Sequence, residues 1–309
     1  MSMRSIQAPD AVVMVRPHRF HPNPETAADN AFQRSAGHTS ATAVALAARD
    51  EVTAAAAALR EVGVRVHVFD DHGERETPDS VFPNNWFSTH RSGHVALYPM
   101  ASKSRRRERR ADVIEMLKAE YRVLDVIDYS GLEHDGLFLE GTGAMVLDDI
   151  ANVAYTARSR RSDPVALERF CTHFNFEPMA FTTADAAGLP IYHTNVMMCL
   201  ATEFALVGFD LMDDPKRRAD VRARLEESGR TVIALDARQI ADFAGNAIEL
   251  SGALGRVLAL SERAAASLTP EQRALITRSA RLLPLSVPTI EMAGGSVRCM
   301  LAGIHLARR

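Results

Sequence analysis

Three side chains far apart along the sequence have the types that nucleophilic catalysis at carbon requires: Cys299, His193 and Glu140. A thiol attacks as its thiolate, a histidine moves the proton, and a carboxylate orients the histidine and stabilises its charged form. Cys299 comes just after Gly294-Gly295-Ser296-Val297-Arg298. Paired glycines let the backbone turn sharply and expose the next few residues, and Arg298 supplies a positive charge beside the thiol. A packing cysteine in a C-terminal strand is the plain alternative. His193 falls within an apolar run over residues 191–200, where a lone histidine is commonly a satisfied core or edge residue. Glu140 ends an apolar run just before Gly141-Thr142-Gly143, glycines that permit close approach of a ligand. Spacing alone does not bring the three together; the elements that carry them must.

Those elements alternate. Apolar runs and alternating patterns predict strands at residues 11–15, 64–69, 81–89, 95–98, 123–127, 144–147, 153–156, 191–200, 204–208, 231–235, 247–250, 257–259, 285–290 and 297–301. Helical patterns fall at 41–62, 104–121, 164–174, 215–228 and 270–280, with Gly63 and Gly229 as stops. A strand–strand–helix–strand unit thus recurs about five times, at a period of about 60 residues and without linkers. This predicts one α/β domain over residues 1–309, built of repeats closed around an axis. The rival, a doubly wound open sheet, lacks the G-x-G-x-x-G expected after the first strand.

Composition bounds the function. The 309 residues are 47% hydrophobic with a net charge of −3, enough for a large core and without the basic excess that nucleic-acid binding needs. The run Arg105-Arg106-Arg107-Glu108-Arg109-Arg110 reads as a solvated helix face. Three cysteines without a C-x-x-C pair argue against a disulfide framework or a zinc knuckle and for a reducing cytoplasm. Cys171 and Cys199 read as packing residues. Arg4, Pro9, Asp10 and Arg16 break up the first twenty residues, so neither a signal peptide nor a membrane span is expected.

Four clusters together carry a resemblance: Pro78-Asp79-Ser80-Val81-Phe82-Pro83-Asn84-Asn85, Leu139-Glu140-Gly141-Thr142-Gly143, Tyr192-His193-Thr194-Asn195 and Gly294 to Cys299. Their order and content resemble the pentein superfamily of arginine deiminases, dimethylarginine hydrolases and amidinotransferases. The first is similar to the Pro-Asp-(Ser/Cys)-Val-Phe-Val-Glu-Asp stretch of the dimethylarginine hydrolases, the second to a Leu-(Glu/Asp)-Gly-Gly-Asp motif. Met14-Val15-Arg16-Pro17-His18-Arg19-Phe20, with Asn23 and Asn30, looks more specifically like the citrulline-utilisation hydrolase branch. The resemblance runs from about residue 11 to the end. It implies a five-bladed pentein α/β propeller of repeated ββαβ units, a site in its central channel, and no metal or organic cofactor. His193 then matches the catalytic histidine, Cys299 the nucleophile, and Arg161, in Ser159-Arg160-Arg161-Ser162, an arginine that binds the substrate carboxylate. Phe82 either stacks on the planar group or fills core, and Arg16 and His18 are expected to close the channel.

One departure bears on substrate. Deiminases hold a cationic guanidinium with carboxylates at the positions matching Asn85 and Asn195, and Asn84 replaces a common glutamate. A carboxylate only accepts hydrogen bonds, whereas an amide both donates and accepts, as a neutral ureido group demands. The amides therefore fit citrulline better than arginine; simple turn chemistry is the alternative for Asn residues. Asp79 remains acidic and suits an N–H edge or the α-ammonium. The expected reaction is hydrolysis of citrulline to ornithine, carbon dioxide and ammonia. Hydrolysis of arginine, agmatine or dimethylarginine, amidino transfer, and amino-acid sensing without catalysis are the rivals. The expected partner is the small amino acid, not nucleic acid or membrane, with a homodimer left open.

Overall fold

A computed structural model describes residues 5–35, 37 and 39–309, so that Arg4 lies outside the described residues. Its scaffold is five three-stranded sheets. The strands are β1 (Ala11–Pro17), β2 (Arg65–Asp71), β3 (Phe87–Thr89), β4 (His94–Leu97), β5 (Asp125–Asp128), β6 (Met145–Asp148), β7 (Val153–Ala157), β8 (Glu177–Phe181), β9 (Met198–Leu200), β10 (Phe204–Val207), β11 (Thr231–Ala234), β12 (Ile248–Gly252), β13 (Gly255–Ser261), β14 (Arg281–Leu285) and β15 (Ala302–Gly303). Four sheets are consecutive in sequence. In each, the first two strands pair antiparallel and the second pairs parallel with the third.

A parallel pair needs a crossover, and a helix provides each one. The crossover helices are α1 (Ala41–Glu61), α2 (Ala111–Glu120), α3 (Pro164–Phe174), α4 (Pro215–Glu227) and α5 (Pro270–Thr277). Three of them begin on a capping residue and then proline, a start that leaves no orphan amide at the first position. Asp163 accepts from Val165 and Ala166, Asp214 from Lys216 and Arg217, and Thr269 forms a capping box with Gln272.

The fifth sheet draws on both ends of the chain. β15 pairs antiparallel with β1, Val12 against Gly303 and Val13 against Ala302, while β1 runs parallel to β2 across α1. All five sheets thus have one plan. Residues of all five first strands, β3, β6, β9, β12 and β15, line one cavity, which places them around a common axis. This is the five-bladed α/β ring expected from the repeats. Among the described residues no helix is long and apolar enough to cross a membrane.

The ring differs from expectation in its short segments. Residues 81–89, 191–200 and 297–301 are not continuous strands; the first two each hold a helical turn (Pro83–Asn85, Thr194–Val196) and only then a strand of three residues, and the third holds the turn Val297–Met300, its two-residue strand starting beyond it at Ala302. Residues 285–290 end one strand at Leu285, and a turn, Ile290–Ala293, comes next. A short buried turn and a short buried strand are equally apolar, so periodicity does not separate them. The helix expected over 104–121 breaks at Arg107, with a short turn Lys103–Arg106 before α2. β8 is absent from the expected set because it is a sheet-edge strand, half exposed and carrying Pro178.

Candidate active site

Each first strand is entered by a tight turn, and these turns carry the polar residues of the axis. Pro83–Asn85 precedes β3, Gly141–Ala144 precedes β6 with Glu140 at its head, and Thr194–Val196 precedes β9 with His193 at its head. A turn ending at Asn246 precedes β12, and Val297–Met300, with Cys299, precedes β15. Two glycines make the packing possible. Gly141 has φ +49°, and a Cβ there would lie 2.6 Å from the Asn84 carbonyl. A Cβ on Gly143 would lie 2.1 Å from Asn85 Nδ2 and 2.9 Å from His193 Nδ1, so both side chains close on the same bare backbone.

His193 Nε2 is 2.8 Å from Glu140 Oε2. Burial would raise the Glu140 pKa, but Arg161, the His193 hydrogen bond and Arg105 outweigh it and hold the carboxyl well below the usual range. An ionised carboxylate only accepts, so Nε2 carries the proton and Nδ1 keeps its lone pair. Burial pushes the His193 pKa down to about 4 against the opposing pull of Glu140, leaving a neutral imidazole at neutral pH. Arg105 and Arg161 flank the carboxylate at 3.5 and 3.6 Å, and the Ala101 amide donates to Oε1 at 3.0 Å.

Cys299 is buried but not in apolar surroundings alone. The side-chain amide nitrogens of Asn195 and Asn246 each approach Sγ at 3.2 Å. Cys299, His193, Asp79, Phe82, Asn85 and Arg161 all line one small pocket, together with Arg105 and Tyr192. Glu140 stands behind His193, and Asn195 beside the thiol. The three catalytic candidates and the five binding candidates from the sequence are thus gathered at one place. Phe82 packs against Gly295, where a Cβ would lie 2.8 Å from its ring.

Several polar atoms here have no hydrogen-bond partner among the described residues: Asp79 Oδ1, Asn85 Nδ2, Asn195 Oδ1 and both side-chain atoms of Asn84. Buried polar groups are normally paired, so such a cluster is a feature to be explained by a ligand or water. Asp79 Oδ2 accepts from Asn23 at 2.9 Å. Burial raises the Asp79 pKa, with Arg105 and the Asn23 hydrogen bond opposing.

A loop closes over the pocket. Thr26 and Asn30 line it, Asn30 Nδ2 donates to the Ala293 carbonyl at 3.0 Å, and Asp29 forms a two-bonded ion pair with Arg161. Arg161 also lies over the Tyr192 ring, 4.9 Å from its centre. The expected channel closure by Arg16 and His18 is not what they do: both bind Asp70 on β2, at 2.7 and 2.8 Å, away from the pocket. Arg298 likewise turns from the pocket to the axial cavity and donates to the Leu301 carbonyl at 3.0 Å.

Arg105 overturns the reading of its basic run as a solvated face. It is buried, binds Glu108 through two bonds at 2.9 and 3.0 Å, and lies 3.7 Å from Asp79. Glu108 three residues on was its only signal. Asn246 was also missed; its signal was Gly245-Asn246 just before an apolar strand, the same kind of lead-in that carries Asn85.

The model of the eukaryotic N,N-dimethylarginine dimethylhydrolase family matches residues 16–306. No curated protein matches the sequence. Among solved structures, the substrate-bound N-terminal domain of ArgZ, an arginine dihydrolase from the ornithine-ammonia cycle in Cyanobacteria, is 14% identical with a TM-score of 0.73, over 95% of this chain and 97% of that one. Full-length ArgZ is 15% identical with a TM-score of 0.70, over 96% of this chain but only 40% of its own length. A dimethylarginine dimethylaminohydrolase bearing an S-methyl-L-thiocitrulline adduct is 14% identical with a TM-score of 0.60, over 97% of this chain and 99% of that one. At such identities these likenesses speak for the fold, while the family model spans nearly the whole sequence: the chain belongs to the N,N-dimethylarginine dimethylhydrolase family, in the pentein superfamily of C–N hydrolases.

Proposed function

We propose that this hydrolase acts on citrulline, through a covalent bond to Cys299, with residues 1–309 working as one catalytic domain. The observation that carries the reading is the pair Asn85 and Asn195 where guanidinium-binding relatives are expected to hold carboxylates. Among the described residues, Asn85 Nδ2 is a buried donor without a partner, and Asn195 Oδ1 is a buried acceptor without one. A ureido group offers a carbonyl oxygen to the first and an N–H to the second. A guanidinium has no acceptor for the first and loses charge-assisted bonds of about 1.5–3 kcal/mol each where no carboxylate meets it.

The substrate's α-carboxylate is assigned to Arg161 and its α-ammonium to the unpaired Oδ1 of Asp79, with Phe82 against the planar group. His193 Nδ1 takes the Cys299 proton as Sγ bonds to the ureido carbon. The C–NH2 bond then breaks while His193 returns the proton to the leaving nitrogen, releasing ammonia. Glu140 stabilises the imidazolium between these steps. Water, deprotonated by His193, adds to the carbamoyl thioester, the thiolate departs, and the N-carboxy amine loses carbon dioxide to give ornithine.

A panel of ureido and guanidino amino acids, scored for ammonia and ornithine, tests this. Citrulline is expected to be the best substrate. Faster turnover of arginine or dimethylarginine would sink the assignment, and two ammonia per ornithine from arginine would replace it with arginine dihydrolysis.

A further inference from the structure

Asn246 is a residue that neither the sequence motifs nor the proposed mechanism uses, yet it touches the reacting sulfur. It is fully buried. Its Oδ1 accepts two backbone N–H groups from the turn that bears the thiol, Ser296 at 3.2 Å and Arg298 at 3.1 Å. Two such donors settle which end of the amide is oxygen, a choice that geometry otherwise leaves open. The opposite end must then be Nδ2, and its two hydrogens go to the Asn195 carbonyl at 2.9 Å and to Cys299 Sγ at 3.2 Å. Asn195, the other amide donor to the sulfur, keeps an Oδ1 with no partner among the described residues, the acceptor assigned above to a substrate N–H.

The backbone holds Asn246 there at some cost. Phe243, three residues earlier, has φ +62°, a conformation that bulky residues rarely adopt. A Cβ on Gly245 would lie 2.7 Å from the Val196 carbonyl oxygen, so this turn packs directly on the turn that carries His193 and Asn195. One side chain thereby ties together the turns of the nucleophile and of the acid–base residue.

We infer that Asn246 is a catalytic residue whose fixed amide N–H stabilises the Cys299 thiolate and sets its direction within the pocket. This rests on Cys299 being the nucleophile. A hydrogen bond to the charged form of a group favours that form, and a donor locked in place loses no orientation energy when the charge appears. Asp79, Arg105, Arg161, Tyr192 and His193 line the same pocket, and Arg298 adjoins the thiol in sequence. None of these is itself substituted by a change at 246, although the bond to the Asn195 carbonyl is lost together with the one to sulfur.

Asn246→Asp is the informative variant. The carboxylate can still accept from Ser296 and Arg298 but has no hydrogen for sulfur and adds a like charge beside a thiolate. The pH profile of Cys299 alkylation by iodoacetamide, read by mass spectrometry on the whole protein, should move up by about one unit or more, so that labelling below the midpoint slows about tenfold. Asn246→Ser, which has a smaller donor, should fall between the two, and circular dichroism shows whether each variant is folded. An unshifted profile in folded Asn246→Asp overturns the role of Asn246 while Cys299 remains the nucleophile. If wild-type Cys299 is no more reactive than Cys171 or Cys199, it is the underlying assignment that fails instead.

Discussion

Two thiols lie on the axis of the ring, Cys299 in the small pocket and Cys199 on β9 in the cavity lined by all five first strands. Each is 3% exposed, so burial does not distinguish them. Their partners do. Two amide donors meet Cys299, and a neutral histidine lines the same pocket. Cys199 makes no side-chain hydrogen bond among the described residues, and burial pushes its thiol up to about 12. The thiolate is the reactive form, so the contrast fits the proposed role of Cys299 as nucleophile and of Cys199 as an inert packing residue. The difference arises where each sits relative to its strand: Cys199 is inside a strand, where backbone groups are taken by neighbours, and Cys299 is in the lead-in turn, where side chains from adjacent blades converge.

The largest effect should separate the two directly. Cys299→Ser is expected to lower ammonia release from citrulline by roughly 10⁴-fold, as removal of a nucleophile does, whereas Cys199→Ser should change it by less than about twofold. Comparable losses in both would erase the distinction. Glu140→Gln comes next. It removes the charge that opposes the burial of His193 and leaves Arg105 and Arg161 without their shared carboxylate, so turnover should fall about 100-fold. The His193 pKa, about 4 in the wild type, should also move further down, because the amide no longer favours the protonated ring. Imidazole resonances that titrate at the usual histidine value in the wild type would contradict this. The smallest effect concerns the loop. Asp29 occupies the fork of Arg161 that the substrate carboxylate needs, so Asp29→Asn should lower KM for citrulline by about threefold with little change in kcat, a modest gain for a partly exposed pair. A raised KM would instead make Asp29 a contact for the substrate α-ammonium.

Much of this contrast was legible in the sequence. Cys299, His193 and Glu140 stood out because each adjoins glycine or ends an apolar run, and the five repeats showed because capped crossover helices such as α3 and α4 announce their own starts. The turns did not show. Residues 194–196 and 297–300 are as apolar as strands, and what makes them turns is contact with other blades, which no local pattern records. Arg105 was hidden for a related reason: a run of arginines looks solvated until Asp79 and Glu140 are brought to it from two other segments to join Glu108. Asn246 was hidden because an asparagine before a strand reads as turn chemistry, and only the positions of Ser296 and Cys299 reveal its second use.

The most direct measurement is acid quenching during turnover of citrulline labelled at the ureido carbon, with peptide mass analysis of the quenched protein. The account predicts a substituted carbamoyl group on the peptide containing Cys299 and none on that containing Cys199, with the label lost on further incubation. Label on Cys199, or steady ornithine production with no labelled cysteine in Cys299 peptides, would contradict it.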